Sequence, residues 1–175
     1  RTASETSDVL LKAGQTGEIV INGPNVTPGY EGNPKANEDN FFMADGKRWF
    51  RTGDQGAFDD EGYLRLTGRL KEIINRGGEK ISPLEVDAVL LGHPEIAQIV
   101  CFGVSHPKLG EDIAAAVVLT EGSQLNEKDI RAFAAEHIAN FKVPRSIMIL
   151  EEIPKGPTGK IQRIGMAEKL GMTLD

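Results

Sequence analysis

Short apolar runs broken by glycine and polar loops dominate the first third of the chain. Residues 17–23 form a β-rich run, with Ile19, Val20 and Ile21 between Gly17 and Gly23, and predict one strand and a turn. Residues 24–47 hold Pro24, Pro28, Gly29, Gly32 and Pro34 among several Asn and Asp, which is loop chemistry with room for a short helix near residues 35–40. Three short strands follow, at 48–51, 55–58 and 63–67. Thr52-Gly53-Asp54 separates the first two, and an Asp/Gly hairpin turn at 59–62 separates the second and third. Residues 17–67 therefore read as a small antiparallel sheet or part of a barrel.

After Gly68 the period changes. Ile73-Ile74 and Ile81 flank a hairpin whose tip is Gly77-Gly78. Ser82, Pro83 and Glu85 form the start signal of a helix, with a capping box between Ser82 and Glu85, and Gly92 ends it. Two apolar runs, 96–104 and 113–119, have strand length. Ile130, Phe133, Ala134, His137 and Ile138 recur at helical spacing after Asn126-Glu127. A strand at 146–150, a polar loop at 154–160 and a short helix at 163–170 complete the pattern. Helices and strands alternate, so residues 68–175 read as a compact α+β domain.

Composition narrows the function. Net charge is −6, divided as −4 over residues 1–67 and −2 over 68–175, and neither part has the basic excess of a nucleic-acid binder. No apolar run approaches the roughly 20 residues that cross a bilayer, and no signal-peptide core follows Arg1. One cysteine, Cys101, excludes an internal disulfide and any multi-cysteine metal site; its apolar neighbours make it core filler. His93 and His106 each precede a proline and suit turns. Glycine stands at 20 of 175 residues, above the usual share of about 7%, and clusters in loops where backbone turns sharply or meets phosphate. Gly156-Pro157-Thr158-Gly159-Lys160 is not a Walker loop, because its glycines are too close and Ile161 follows the lysine. No G-x-G-x-x-G is present.

Three ordered segments carry a resemblance. They are Trp49-Phe50-Arg51-Thr52-Gly53-Asp54, the stretch from Gly68-Arg69-Leu70-Lys71 through Arg76-Gly77-Gly78-Glu79-Lys80 to Glu85-Val86, and Pro154 through Gly159-Lys160-Ile161-Gln162-Arg163. With Gly17-Glu18-Ile19 ahead of them, they resemble the adenylate-forming superfamily of acyl- and aryl-CoA synthetases, luciferases and peptide-synthetase adenylation domains. The stretch 74–91 is especially similar to oxalate–CoA ligases. Oxalate is thus the favoured substrate among medium-chain, aryl and dicarboxylate candidates.

The resemblance implies that residues 1–67 are the β-rich, barrel-like end of a large N-terminal domain. Residues 68–175 would be its small mobile C-terminal domain, a short sheet flanked by helices. It implies ATP with Mg²⁺, coenzyme A and a small carboxylate as partners, the metal being held by phosphates and residues outside this chain, and a longer polypeptide supplying the ATP pocket. Lys160 is then the catalytic cation for adenylation, Asp54 a ribose ligand, and Arg69 a phosphate or ribose ligand. Lys71 is the hinge. Gly77, Gly78 and Lys80 line the coenzyme A channel, with Arg76 beside them. An adenylation domain serving a carrier protein, and a stand-alone binding module of the same fold, remain alternatives. The expected compartment is the cytoplasm, or the peroxisome where a eukaryotic chain has lost a terminal signal.

Overall fold

The computed structural model describes residues 1–172. The chain divides into two compact units, Arg1–Leu70 and the stretch from Lys71 onward. This division falls three residues after the expected one. Gly68 and Arg69 still pair with Gln55 and Asp54 in the first sheet, so the strand outlasts the apolar pattern that marks it.

The first unit comprises β1 (Thr2–Ala3), β2 (Gly17–Ile21), α1 (Pro34–Asn40), β3 (Phe41–Ala44), β4 (Lys47–Phe58) and β5 (Leu64–Arg69). The order β1-β2-β4-β3, with β5 also on β4, makes an open antiparallel sheet. Asp45 (φ 50°) and Gly46 (φ 68°) close the β3–β4 hairpin, both in the left-handed region such a turn requires. At the β4–β5 turn, Asp59 Oδ1 accepts the N–H groups of Glu61 (3.1 Å) and Tyr63 (2.8 Å), as the Asp/Gly signal predicts. A small core of Ala3, Val20, Phe42 and Trp49 backs the sheet. The expected break at residues 52–54 is absent: β4 runs straight through it.

The second unit begins with a one-turn helix, Leu70–Glu72, at its boundary, followed by β6 (Ile74–Arg76), β7 (Glu79–Ile81), α2 (Pro83–Leu90), β8 (Ile96–His106) and β9 (Gly110–Leu119). It ends with α3 (Glu127–His137), β10 (Ser146–Ile149) and α4 (Met166–Lys169). β9 is the middle strand: β8 pairs with it antiparallel, β10 parallel, and β6 touches it at Gly110. A parallel neighbour needs a crossover, and α3 supplies it.

Alternation explains why the apolar runs of β8 and β9 look continuous. Cys101, Ile113, Ala115 and Val117 pack with Val86 and Leu90 of α2 and with Ile130 and Ala134 of α3. Val100, Phe102, Val104, Ala114 and Ala116 face the other way, against Ile153 and Met166. Both sheet faces are covered, so residues 99–104 and 113–119 run on without a polar side chain, while Gln98 at the start of β8 is exposed. Ile113 is fully buried, and Ile113→Ala would cost about 2–5 kcal/mol.

Two helix starts differ from expectation. Asn126 caps α3 in a true capping box with Asp129. Ser82 makes no side-chain cap bond to α2: the Glu85 N–H goes to the Ser82 carbonyl at 3.2 Å, and the Glu85 carboxylate meets Lys142 Nζ at 2.7 Å. α4 is only four residues long, since Gly165 at φ 77° precedes it.

Candidate functional site

In the first unit the segment 52–54 is organised from below. Glu18 is buried, with 5% of its surface exposed. Its Oε1 accepts the Gly53 N–H at 3.0 Å, and its Oε2 meets Arg51 Nη1 at 2.6 Å. Thr52 Oγ1 donates to the Ile19 carbonyl (2.8 Å) and accepts the Asp54 N–H (3.1 Å). Gly53 adopts φ 75°, which a side chain would strain. The pairing of β4 with β2 thereby shifts register here without the strand being broken. Asp54 and Arg69 occupy paired positions on β4 and β5, and Asp54 Oδ1 lies 3.2 Å from Arg69 Nε. Their side chains are 31% and 67% exposed, so the carboxylate keeps lone pairs, and the guanidinium keeps N–H donors, that face solvent.

In the second unit the hairpin β6–β7 turns at Gly77 (φ 59°) and Gly78 (φ 94°). It is clamped at its base. The Gly77 N–H donates to the Leu109 carbonyl (2.8 Å) and the Asn75 N–H to Glu111 Oε2 (2.7 Å). Arg76 Nε reaches Asp112 Oδ1 at 2.7 Å. Asp112 has no exposed surface, and among the described residues its second oxygen accepts no hydrogen bond, with Arg145 Nη1 3.8 Å away. Arg76 is thus committed to holding the hairpin on β9. Lys80 pairs with Asn75 across the hairpin and is exposed. Lys71 is exposed and is the first residue of the second unit.

Lys160 sits on a short closed loop. Lys155 and Ile161 form a β-bridge. Inside it the Gly156 N–H donates to the Lys160 carbonyl (2.7 Å), and the Gly159 N–H to the Gly156 carbonyl (2.9 Å). Gly159, at φ 76°, makes the turn possible. The Lys160 side chain is exposed and has no hydrogen bond or ion pair among the described residues. The structure therefore joins Asp54 to Arg69 and, among the described residues, leaves the amine of Lys160 without a partner.

Beneath this loop lies a polar knot that the sequence pattern did not single out: Arg163, Asp87 and Glu72 around the backbone of Cys101. Burial raises the Asp87 carboxyl above its ordinary value of 3.8, against the opposing pull of Arg163 and the Cys101 N–H. Burial likewise pushes the Cys101 thiol well above 9.0, which fits a core residue rather than a nucleophile. His93 and His106 do serve turns: each Nδ1 accepts backbone N–H bonds at 3.2 Å.

Residues 85–160 match the AMP-binding enzyme C-terminal domain, and Lys160 is the last residue of that stretch. The chain carries the C-terminal domain of the adenylate-forming enzymes. It is 55% identical over 147 residues to an oxalate–CoA ligase of Arabidopsis thaliana, covering 84% of this chain and 28% of that protein. The oxalate–CoA ligase of Saccharomyces cerevisiae is 48% identical over 164 residues, 94% of this chain and 30% of that one. Among solved structures, ATP-bound MatB from Rhodopseudomonas palustris superposes with a TM-score of 0.88 at 28% identity, over 98% of this chain and 34% of that one. The chain spans under a third of the length of the curated relatives it matches.

Among the described residues no group of three or more His, Cys, Asp or Glu could hold a metal ion. No helix among them is long and apolar enough to cross a membrane.

Proposed function

We propose that this chain is the C-terminal part of an ATP-dependent carboxylate–CoA ligase of the adenylate-forming enzymes, with oxalate as the favoured substrate. The observation that carries the reading is the close identity to two oxalate–CoA ligases over nearly all of the chain. The amine of Lys160, exposed on its closed loop and unpartnered among the described residues, supports it.

The reaction has two halves. A carboxylate oxygen attacks the α-phosphorus of ATP, the bond to pyrophosphate breaks, and an acyl-adenylate forms. The coenzyme A thiol then attacks the acyl carbon, AMP leaves, and a thioester results. Negative charge crowds the first transition state. The Lys160 ammonium would sit against it and hold the two reactants in line without taking a proton. Asp54 would accept hydrogen bonds from vicinal ribose hydroxyls, and Arg69 would donate to ribose or phosphate oxygens.

For the second half the unit that starts at Lys71 would turn about that residue, withdrawing Lys160 and bringing in the hairpin. Gly77 and Gly78 would let the pantetheine arm pass close to backbone, with Lys80 beside it. The test supplies the full-length protein with ATP, free coenzyme A and a panel of carboxylates, and measures AMP, pyrophosphate and thioester. Oxalyl-CoA formation supports the reading. Adenylation followed by transfer to a carrier protein, with free coenzyme A refused, contradicts it.

A further inference from the structure

Arg163 is 15% exposed, and its guanidinium ends on three segments of the second unit. Nη2 lies 2.8 Å from Asp87 Oδ2 on α2, and Nε lies 3.2 Å from Glu72 Oε2, next to Lys71. Nη1 donates to the Cys101 carbonyl on β8 at 3.1 Å. Asp87 Oδ1 takes the N–H of the same Cys101 at 2.7 Å. β8 pairs only with β9 among the described strands, so its outer edge would leave both backbone groups of Cys101 unmet. The Asp87–Arg163 pair stands in for a missing strand there.

Arg163 follows Lys160 by three residues and Ile161, which closes the Lys160 loop, by two. A guanidinium fixed at three points therefore sets where the loop leaves the core. The same group is bonded to the carboxylate adjoining Lys71. We propose that Arg163 is a positioning residue: it fixes the base of the Lys160 loop and ties it to the segment around Lys71, so that loop and segment move as one piece. This rests on the role given to Lys160 above. An ammonium cannot replace it, because a single Nζ cannot span three acceptors that lie in a planar fork.

The test uses the full-length protein with R163K, E72Q, K160A and the double variant R163K/K160A. Adenylation is read by ATP–pyrophosphate exchange, thioester formation from supplied acyl-adenylate, and folding by thermal melting. R163K keeps a cation beside Asp87. It is expected to slow adenylation on the order of tenfold or more, since displacement of a reacting group by about 1 Å can cost about a hundredfold. Thioester formation should stay near wild type, and E72Q should slow adenylation in the same direction with an unchanged melting temperature.

In the K160A background R163K should add no further loss, because Arg163 acts through Lys160. Full loss added on top of K160A, equal loss in both half-reactions, or wild-type adenylation in R163K would overturn the proposal. If R163K melts out, E72Q decides: wild-type exchange there overturns it, and slowed exchange supports it. Wild-type exchange in K160A itself would instead refute the reading of Lys160.

Discussion

Asp54 and Arg69 stand opposite each other on β4 and β5, with Oδ1 3.2 Å from Nε, and both side chains reach solvent. A pair this exposed contributes only about 0–1 kcal/mol to folding. Under the proposed function the two side chains serve the nucleotide rather than the fold. Asp54→Ala in the full-length protein should leave the melting temperature nearly unchanged. It should raise the KM for ATP by roughly ten- to a hundredfold, because charged hydrogen bonds are worth about 1.5–3 kcal/mol. Steady-state kinetics with ATP varied checks this; an unchanged KM would remove Asp54 from the nucleotide site.

The hairpin tip gives a cleaner separation of backbone from side-chain effects. A Cβ on Gly78 meets nothing within 4 Å, whereas one on Gly77 comes within 3.2 Å of Leu109 Cδ2. Both glycines have positive φ, so either substitution strains the turn by about 1–2 kcal/mol. Gly77→Ala should melt lower than Gly78→Ala. Gly78→Ala should slow thioester formation from supplied acyl-adenylate while leaving ATP–pyrophosphate exchange intact. Loss of exchange would show that the hairpin serves the first half-reaction.

Asp87 gives the stability of the second unit a pH signature. Its carboxyl in the fold lies above its ordinary 3.8 because it is buried. In the intermediate window the folded state then holds more protons than the unfolded one. The contribution of Asp87 is fully present below about pH 3.8 and is lost as pH rises through the elevated value. The amide of an Asp87→Asn variant would not titrate, and its oxygen would still accept the Cys101 N–H. On raising pH from about 4 to 7, across that window, Asp87→Asn should gain melting temperature relative to wild type. A shift the other way would mean that Arg163 outweighs burial at this site.

These residues also show what the sequence made legible. The runs 96–104 and 113–119 announce strands because both faces of β8 and β9 are covered, so past the exposed Gln98 no polar side chain interrupts them. The Gly77-Gly78 turn and the Asp59 turn are local chemistry and are readable as such. Gly53 misleads. It reads as a turn, yet buried Glu18, 35 residues away, holds its N–H and lets β4 continue. Glu85 reads as half of a capping box, but Lys142, 57 residues distant, claims it. The role of Arg163 depends on a strand edge 62 residues away, which no local pattern encodes. The parallel seating of β10 is likewise set by the α3 crossover and by packing rather than by its own four residues.

Everything proposed for adenylation turns on the amine of Lys160, exposed and unpartnered among the described residues. In the full-length protein, Lys160→Ala should lower ATP–pyrophosphate exchange by about a hundred- to a thousandfold, the loss seen when a preorganised donor to a charged transition state is removed. Thioester formation from supplied acyl-adenylate should stay within a few-fold of wild type. Undiminished exchange in Lys160→Ala, or equal loss of both half-reactions, would contradict the account.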